Sequence, residues 1–295
     1  MLKMLYMIEK QKALCYNENK KEQGLNMVFK GKQIGQGNTA EIFEYGEGKI
    51  LKLYKEGISK SACEQEFNIT QNVYRFLGIC PKAYEVVEVD GRYGASYERI
   101  DGQSMLQAAL SNRRSFRKEG KQLAHYHNAI QKPVDFALPT VKEKLKRDIK
   151  RVEELTGDEK DKLYQYIDTL PEGSVLCHFD FHLDNIILRD GNAVIIDWMI
   201  ACNGDRLSDV ARTCILFEYS EIPTKSLLQR HMIKFMQKRL LRIYLTEYFK
   251  ITQADRKELH RWKLPIAAAR LSEWRPEPEK KRLLKMVHQS IRRLA

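Results

Sequence analysis

The sequence predicts an α+β protein with a small antiparallel β-rich N-terminal lobe containing one helix, followed by a larger, mostly helical C-terminal lobe. Two observations predict this class. As far as about residue 100, apolar and polar residues alternate between glycine-containing turns, which is typical of strands. From Asp101 onward most apolar residues recur at helical spacing, and the largest exception is one strand-like stretch over 174–197.

Local patterns predict each element of the first lobe. Turn signals divide residues 27–54 into three strands, and Lys52 lies on the third. The apolar spacing over 60–77 predicts one helix. The dipeptide Asp90-Gly91 predicts a two-residue turn between two further strands over 83–100.

The second lobe is predicted to be helical on both sides of one β-hairpin. Helices are expected over residues 104–131, 141–155 and 158–169, and again through most of 206–295. The change of pattern after Ile100 predicts three parts, which are an N-terminal extension (1–26), an N-terminal lobe (27–100) and a C-terminal lobe (101–295).

Composition limits the partners of the chain. No apolar stretch approaches the ~20 residues that span a bilayer, so we expect no membrane partner. Six cysteines form no CxxC pair, and the start of the chain does not resemble a signal peptide, which together favour a cytoplasmic protein with free thiols. The net charge of +12 comes from residues 221–295, which hold 19 Lys and Arg against 7 Asp and Glu. Without a nucleic-acid-binding motif, we interpret this excess as a solvated helical surface.

The hairpin over 186–197 carries more charge than a core segment should. Its turn is predicted at Asp190-Gly191-Asn192, and Asn185 and Asp197 each lie six residues from Gly191. If the hairpin is symmetric about that glycine, the two side chains are cross-strand neighbours, with Asp180 on the loop that feeds the same end. A carboxamide and a carboxylate are suitable Mg²⁺ ligands, which leaves Asp180 as a base.

A resemblance to a known family rests on these residues. The run HFDFHLDN (178–185), followed by IDW (196–198), resembles the catalytic loop and metal-binding aspartate of the aminoglycoside phosphotransferase and choline kinase-like family. The similarity covers about residues 30–275. It implies a bilobal protein-kinase-like fold, ATP or GTP with Mg²⁺, and transfer of the γ-phosphoryl group to a hydroxyl of a small molecule. The chain departs from the family at Phe179, where glycine is usual.

The resemblance also implies a role for individual residues in nucleotide and metal binding. Asp180 would be the catalytic base, and Asn185 and Asp197 the metal ligands. Lys52 would bind phosphate and pair with Glu66, which we prefer to Glu64 because it lies beside the apolar stripe of its helix. The remaining cofactor-binding candidates are a glycine loop and a hinge whose backbone would bond adenine: Gly35, Gly37, Glu98 and Ile100.

Three further residues are expected to support the fold around the site without acting in it. The run GDRLSDVAR (204–212) resembles a family motif in which the aspartate at the position of Asp209 anchors the catalytic loop, although Arg206 replaces the usual proline. His125 and His127 lie on a helix of the second lobe, and we expect both to pack in the core or behind the site rather than to act in it.

The sequence leaves two classes of phosphoryl acceptor: an antibiotic such as an aminoglycoside, or a metabolite such as a sugar, an amino alcohol or homoserine. The basic C-terminal region argues against a polycation. Candidate acceptor-binding residues are Asp184, Asp205, Glu273 and Trp274.

Two alternatives belong to other classes of protein. A protein or peptide kinase would require a docking segment, and no A-P-E signal follows Asp197. A non-catalytic nucleotide- or nucleic-acid-binding module would use the basic C-terminal region. The complete set of Lys52, Asp180, Asn185 and Asp197 argues against that alternative, so we expect no nucleic-acid partner.

Overall fold

The computed structural model describes residues 30–37, 39–221 and 226–294, so the predicted extension (1–26) lies outside the described residues. The described chain forms two compact units. The first contains the described residues up to Gln71 together with Pro81–Arg99, and the second contains Asn72–Cys80 and the residues from Ile100 onward. The functional division at residue 100 stays a prediction.

The first unit is built on a five-stranded antiparallel sheet with the strand order β1-β2-β3-β5-β4. Leu51 and Leu53 of the third strand are fully buried in the core of this sheet, so strand alternation directs Lys52 to the opposite face. The strands are β1 (Gln33–Gln36), β2 (Ala40–Glu44), β3 (Lys49–Tyr54), β4 (Ala83–Val89) and β5 (Arg92–Glu98).

Helix α1 (Lys60–Leu77) has the bounds that the sequence predicts. It ends where Gly78 adopts a φ of 66° and donates its N–H to the carbonyl of Tyr74 at 2.9 Å. The turn between β4 and β5 also forms as predicted. Asp90 and Gly91 have φ values of 52° and 72°, the left-handed pair that a type I′ turn requires.

The second unit is mostly helical. Its helices are α2 (Met105–Ser111), α3 (Arg113–Ile130), α4 (Val141–Lys150), α5 (Gly157–Asp168), α6 (Arg206–Tyr219), α7 (Leu227–Thr252), α8 (Arg256–Arg270) and α9 (Glu277–Ile291). The prediction of a single helix over 104–131 is wrong, because the helix is interrupted at Asn112. The carboxamide of Asn112 accepts the N–H groups of Arg114 and Ser115 at 3.0 Å, which caps α3 and separates it from α2.

Short strands connect these helices. They are β6 (Gln103–Ser104), β7 (Val175–Cys177), β8 (Ile186–Arg189), β9 (Asn192–Ile195) and β10 (Cys202–Gly204). Strands β6, β8 and β9 form one sheet, and β7 pairs with β10. Within the described ranges, no helix combines the length and the apolar character that crossing a membrane requires.

Candidate active site

The predicted symmetry of the β8–β9 hairpin is wrong by one residue. The sequence predicts pairing about Gly191. In the structure Ile186 pairs with Ile195, so the centre of the hairpin lies between Asp190 and Gly191. Both turn residues adopt left-handed backbone, with φ values of 50° and 80°. The loop therefore contains two residues, so no residue lies at its centre. Every residue of β8 pairs with a residue one position earlier on β9 than a centre on Gly191 would give.

The corrected register places Asn185 opposite Ile196 rather than opposite Asp197. The N–H of Ile196 donates to the carbonyl of Asn185 at 2.9 Å. Strand β9 has ended at Ile195, and Asp197 turns away from extended backbone with a φ of 66°. Asp197 nevertheless interacts electrostatically with the loop that carries Asp180. Burial lowers the pKa of His178, and the charge of Asp197 opposes that shift; the same charge adds to those of Asp180 and Asp184, which raise the pKa of His182 against its burial.

The side chain of Asn185 is oriented by its own amide nitrogen. Nδ2 donates to the carbonyl of Asp180 at 2.9 Å and to Oδ2 of Asp180 at 3.2 Å, so Oδ1 is the atom that can meet a cation. A carboxamide oxygen together with the carboxylate of Asp197 is a donor set that fits Mg²⁺, which keeps water and phosphate oxygens as further ligands. Among the described residues, no three His, Cys, Asp or Glu side chains cluster in a way that could hold a metal by themselves.

Asp180 is held as an anion by positive neighbours. Burial raises the pKa of this carboxyl, but the hydrogen bond and charge of His182, and the charges of Arg212 and His178, lower it by more, to well below its usual range. Nε2 of His182 lies 3.5 Å from Oδ2 of Asp180. Burial lowers the pKa of His182, but its interactions with Asp180 and Asp184 raise it overall. The carboxylate is therefore ionised at neutral pH and can accept a hydrogen bond from a hydroxyl.

Helix α6 fixes the position of the catalytic loop through main-chain atoms. Asp209 is fully buried, and its two carboxylate oxygens accept the N–H groups of His178 (2.7 Å) and Phe179 (2.9 Å). One helical turn later, Nε of Arg212 donates to the carbonyl of Phe179 at 2.9 Å. Oγ1 of Thr213 donates to the carbonyl of Phe181 at 3.0 Å. The expectation that Asp209 anchors this loop is confirmed by these bonds.

Phe179 adopts a strained backbone conformation between two of these anchors. Its φ of 66° lies in the left-handed region, which costs a residue with a side chain about 1–2 kcal/mol. The Asp209 and Arg212 bonds hold both of its peptide groups, and its ring is buried with 2% of its surface exposed. Phenylalanine in place of the family's glycine therefore adds backbone strain to a loop that these bonds hold in position.

His127 packs beneath the loop, as predicted, whereas the same prediction is wrong for His125, whose side chain is 49% exposed and lies 3.3 Å from Glu247. His127 is fully buried, and its ring stacks on Phe181 at a centroid distance of 4.2 Å. Nδ1 lies 2.6 Å from the hydroxyl of Tyr244, and Nε2 lies 3.0 Å from Oδ2 of Asp209. This histidine supports the anchor and does not face the base.

A second group of candidate residues lies in the first unit. Nζ of Lys52 lies 2.6 Å from Oε1 of Glu66, which is 3% exposed, whereas Glu64 lies on the surface near Lys60. The hydroxyl of Tyr54, which is also buried, donates to Oε2 of Glu66. The carboxylate of Glu66 is thus held from both sides, and the choice of Glu66 over Glu64 agrees with this geometry.

The two predicted loop glycines are not required by the fold. A Cβ at Gly35 would lie 3.5 Å from the Ile42 side chain, and one at Gly37 would lie 3.6 Å from the carbonyl of Ala40, both ordinary contacts. Neither glycine has a positive φ. The fold therefore does not require glycine at either position. A missing side chain there leaves room for a ligand to approach the backbone closely.

The two predicted hinge residues differ in their backbone bonds. Glu98 ends β5, and its N–H donates to the carbonyl of Lys82 at 2.8 Å. Within the described chain, the N–H of Ile100 has no hydrogen-bond acceptor. The N–H of Ile100 can therefore donate to a ligand atom, whereas the N–H of Glu98 is already engaged.

Glu273 lies in a cluster of arginines that reaches the catalytic loop. Its carboxylate is 2.8 Å from Nη2 of Arg212 and 3.5 Å from Nη1 of Arg270, and it also pairs with Arg275. Burial raises the pKa of Glu273, but the three guanidinium groups lower it by more, while the nearby charge of Asp180 opposes them. Glu273 is therefore close to the base, and its own charge is neutralised by its neighbours.

The other candidate acceptor residues have separate environments. Asp205 caps α6 by accepting the N–H of Leu207 at 2.9 Å, and its burial raises its pKa. Oδ1 of Asp184 accepts from the hydroxyl of Ser104 at 3.3 Å. Trp274 is 81% exposed. The geometry gives Asp205 a structural role and leaves Asp184 and Trp274 accessible.

A comparison with known families matches residues 30–232 to the family described as the phosphotransferase enzyme family. The match covers more than half of the chain. The chain belongs to the phosphotransferase enzyme family. This membership confirms the enzyme class predicted from the sequence, a phosphotransferase of the small-molecule kinase type. A comparison with curated proteins finds no match.

Solved structures of the same fold include members with several acceptors. A thermostable mutant of an aminoglycoside phosphotransferase, in a complex with ADP and hygromycin B, is 15% identical with a TM-score of 0.60, over 88% of this chain and 92% of that one. An amicoumacin kinase with AMP-PNP and Ca²⁺ is 14% identical with a TM-score of 0.58, over 97% and 99%. A choline kinase from Cryptosporidium parvum is 14% identical with a TM-score of 0.53, over 90% of each chain. They confirm the predicted protein-kinase-like fold class.

Sequence reasoning missed three contacts of the site residues: Tyr54 with Glu66, and Arg212 and Thr213 with carbonyls of the catalytic loop. Tyr54 shares the strand face of Lys52, and that alternation was a usable signal for its contact with Glu66. Arg212 and Thr213 follow Asp209 at helical spacings of three and four, which places all three on one face of α6. Their target carbonyls belong to an irregular loop, and no sequence pattern indicates them.

Proposed function

We propose that the protein transfers the γ-phosphoryl group of ATP to a hydroxyl of a small molecule in a Mg²⁺-dependent reaction. The observation that carries this proposal is the state of Asp180. Its carboxylate is ionised, oriented by Nδ2 of Asn185 and fixed by a loop that α6 holds through its main chain. A carboxylate positioned in this way is the acceptor that a nucleophilic hydroxyl needs.

Each residue has a defined part in the proposed reaction. Asp180 accepts the proton of the acceptor hydroxyl as its oxygen forms a bond to the γ-phosphorus and the bond to the leaving ADP oxygen breaks. Lys52, aimed by Glu66, carries positive charge to the phosphate oxygens. Asn185 Oδ1 and Asp197 would hold Mg²⁺, which supplies further charge neutralisation when it is bound. Most of the rate enhancement in such a reaction comes from positioning and electrostatics.

The surroundings of the base favour a neutral or anionic acceptor over a polycation. Glu273, one of the predicted acceptor residues, is offset by three arginines. Asp205 is committed to capping a helix, which leaves Asp184 as the remaining candidate acid. Trp274 offers an exposed indole beside Glu273 for a sugar or aliphatic face. Sugars, amino alcohols and homoserine-like compounds match this environment better than aminoglycosides do.

The test is a nucleotide-consumption screen of the full chain with Mg²⁺. The acceptors are aminoglycosides, other hydroxylated antibiotics, choline, homoserine and sugars, each assayed with ATP and with GTP. The diagnostic variant is Asp180→Asn, and Asp190→Asn is its matched control, because Asp190 is an exposed turn residue of the adjacent hairpin that asparagine tolerates in the left-handed region.

We expect turnover with at least one acceptor, a loss of about 10²–10⁴-fold in Asp180→Asn, and unchanged nucleotide binding. Asp190→Asn should retain the rate of the natural protein. Equal activity in both variants would reject Asp180 as the base. Turnover that is highest with an aminoglycoside would reject the proposed acceptor class while leaving the phosphotransfer itself in place.

A further inference from the structure

The N-terminal half of α7 carries apolar side chains that the described chain does not cover. No residue from Leu227 to Arg239 is buried. Leu227, Leu228, Met232 and Phe235 are 73%, 80%, 55% and 63% exposed. Helices in proteins draw most of their stability from packing an apolar face, so such a face indicates a surface that meets another partner.

Beside this face, α3 and α7 enclose a strongly positive groove of about 870 Å³. The cations that line it without an ion pair to any described carboxylate are Arg117, Lys238, Arg239, Arg242 and Lys250. The one carboxylate in its lining, Glu247, is already paired with Lys121 at 3.3 Å and with His125 at 3.3 Å. The groove therefore has uncompensated positive charge.

The apolar and positive regions are continuous along one stripe of α7. We call this stripe the α7 face, and its residues are Leu228, Met232, Phe235, Arg239 and Arg242. Their spacing of four, three, four and three residues keeps them on one side of the helix. Leu228 and Arg242 are fourteen helical steps apart, so the stripe extends over about 21 Å. Phe235 joins the two regions, because it is both exposed and part of the groove lining.

We propose that the α7 face binds an anionic lipid surface. Leu228, Met232 and Phe235 enter the boundary between headgroups and acyl chains, and Arg239 and Arg242 meet the lipid phosphates. Such a surface offers hydrocarbon and negative charge side by side over the length of this stripe, and helices that lie in the membrane interface use both. The expectation of no membrane partner came from the absence of a spanning segment, which a helix on the surface does not need.

Other occupants satisfy only part of this face. Single-stranded RNA would use the cations and could stack on Phe235, but the aliphatic side chains of Leu228 and Met232 offer bases no stacking surface. A second copy of the chain could cover the apolar residues, but it would bring the unpaired arginines of both copies together. Charge and apolar character together favour the lipid surface.

The experiment is co-sedimentation of the full chain with vesicles of phosphatidylcholine alone and of phosphatidylcholine mixed with phosphatidylglycerol. One variant removes the apolar contacts without changing charge (Leu228→Ser with Phe235→Ser). A second removes charge (Arg239→Gln with Arg242→Gln). The matched control removes the same charge from exposed positions of α9 (Lys281→Gln with Lys285→Gln). Binding of poly(U) RNA and the sedimentation coefficient of the free protein are measured in parallel.

We expect binding to the mixed vesicles only, reduced by rising salt, and lowered at least tenfold in both α7 variants but not in the α9 control. Because the altered residues are exposed and lie outside the proposed catalytic machinery, phosphotransfer should be unchanged in all three variants. The proposal is overturned by absence of binding to the mixed vesicles, by equal loss in the α9 control, or by unchanged binding in either α7 variant. Binding of RNA alone, or a dimer broken by the apolar variant, would overturn it equally.

Discussion

Replacing Phe179 by alanine and by glycine measures the strain in the catalytic loop. Truncating a buried phenylalanine costs about 3–5 kcal/mol, and both variants lose this amount because the ring is removed in each. They differ in the backbone. Alanine keeps the left-handed penalty of about 1–2 kcal/mol, whereas glycine relieves it. Glycine in turn costs about 0.5–1 kcal/mol of chain entropy on folding.

Phe179→Gly should therefore be as stable as Phe179→Ala or more stable, by about 0–1.5 kcal/mol. Phe181 is the matched control, since it is a fully buried phenylalanine of the same loop without a positive φ. At Phe181 the order should reverse, with glycine about 0.5–1 kcal/mol less stable than alanine. The difference between the two alanine-to-glycine changes is expected to be about 1–2 kcal/mol.

Urea unfolding followed by tryptophan fluorescence is the appropriate assay. The three tryptophans of the chain are Trp198, Trp262 and Trp274, and all of them lie in the second unit, so the signal reports the unit that contains the loop. Finding glycine less stable than alanine at both positions, by similar amounts, would refute the argument that Phe179 stores backbone strain.

Further predictions concern the groups around the two sets of site residues. Tyr54→Phe should leave one oxygen of Glu66 unsatisfied, which should lower the free energy of unfolding by about 1–3 kcal/mol and raise the KM for ATP. An unchanged KM would contradict the role of Tyr54 in positioning Glu66 against Lys52. Asp209→Asn retains the shape of the side chain but loses one of the two oxygens that accept main-chain N–H groups of the catalytic loop. Both kcat and the urea midpoint should therefore fall. If neither changes, Asp209 does not anchor the loop. Because the pKa of His182 is raised in the folded state, its pairing with Asp180 stabilises the protein fully below about pH 6.5 and is lost as the pH rises through the raised pKa. The urea midpoint of His182→Gln should accordingly lie below that of the natural protein at low pH and approach it at high pH; a gap that widens with pH would show the opposite sign.

Much of the fold could be predicted because local chemistry decides it. The Asp-Gly turns and the helix over 60–77 follow from turn residues and apolar spacing alone. The break at Asn112 was missed because a capping carboxamide competes with helix continuation, and the outcome depends on where the two helices pack. The hairpin register was missed by one residue, since counting from a single glycine ignores that the turn contains two residues.

The candidate site was predictable to the extent that its residues form a motif. The resemblance implied that Lys52 pairs with a glutamate of the following helix, and the apolar stripe of that helix favoured Glu66 over Glu64. By contrast, the bonds from Arg212 and Thr213 to loop carbonyls depend on how a helix meets an irregular segment about thirty residues earlier in the chain. The left-handed φ of Phe179 could not be predicted either, because phenylalanine disfavours that conformation and only surrounding structure enforces it.

The way in which α6 holds the catalytic loop bears on how this enzyme could diversify. Asp209, Arg212 and Thr213 bond to peptide groups, which every amino acid possesses, so these bonds fix the backbone of the loop whatever side chains its residues 178, 179 and 181 carry. A loop secured in this way can change its sequence and remain in place, and phenylalanine at a position usually given to glycine is one such change. The route to a new acceptor can therefore pass through substitutions beside the base that would disable a less firmly tethered loop.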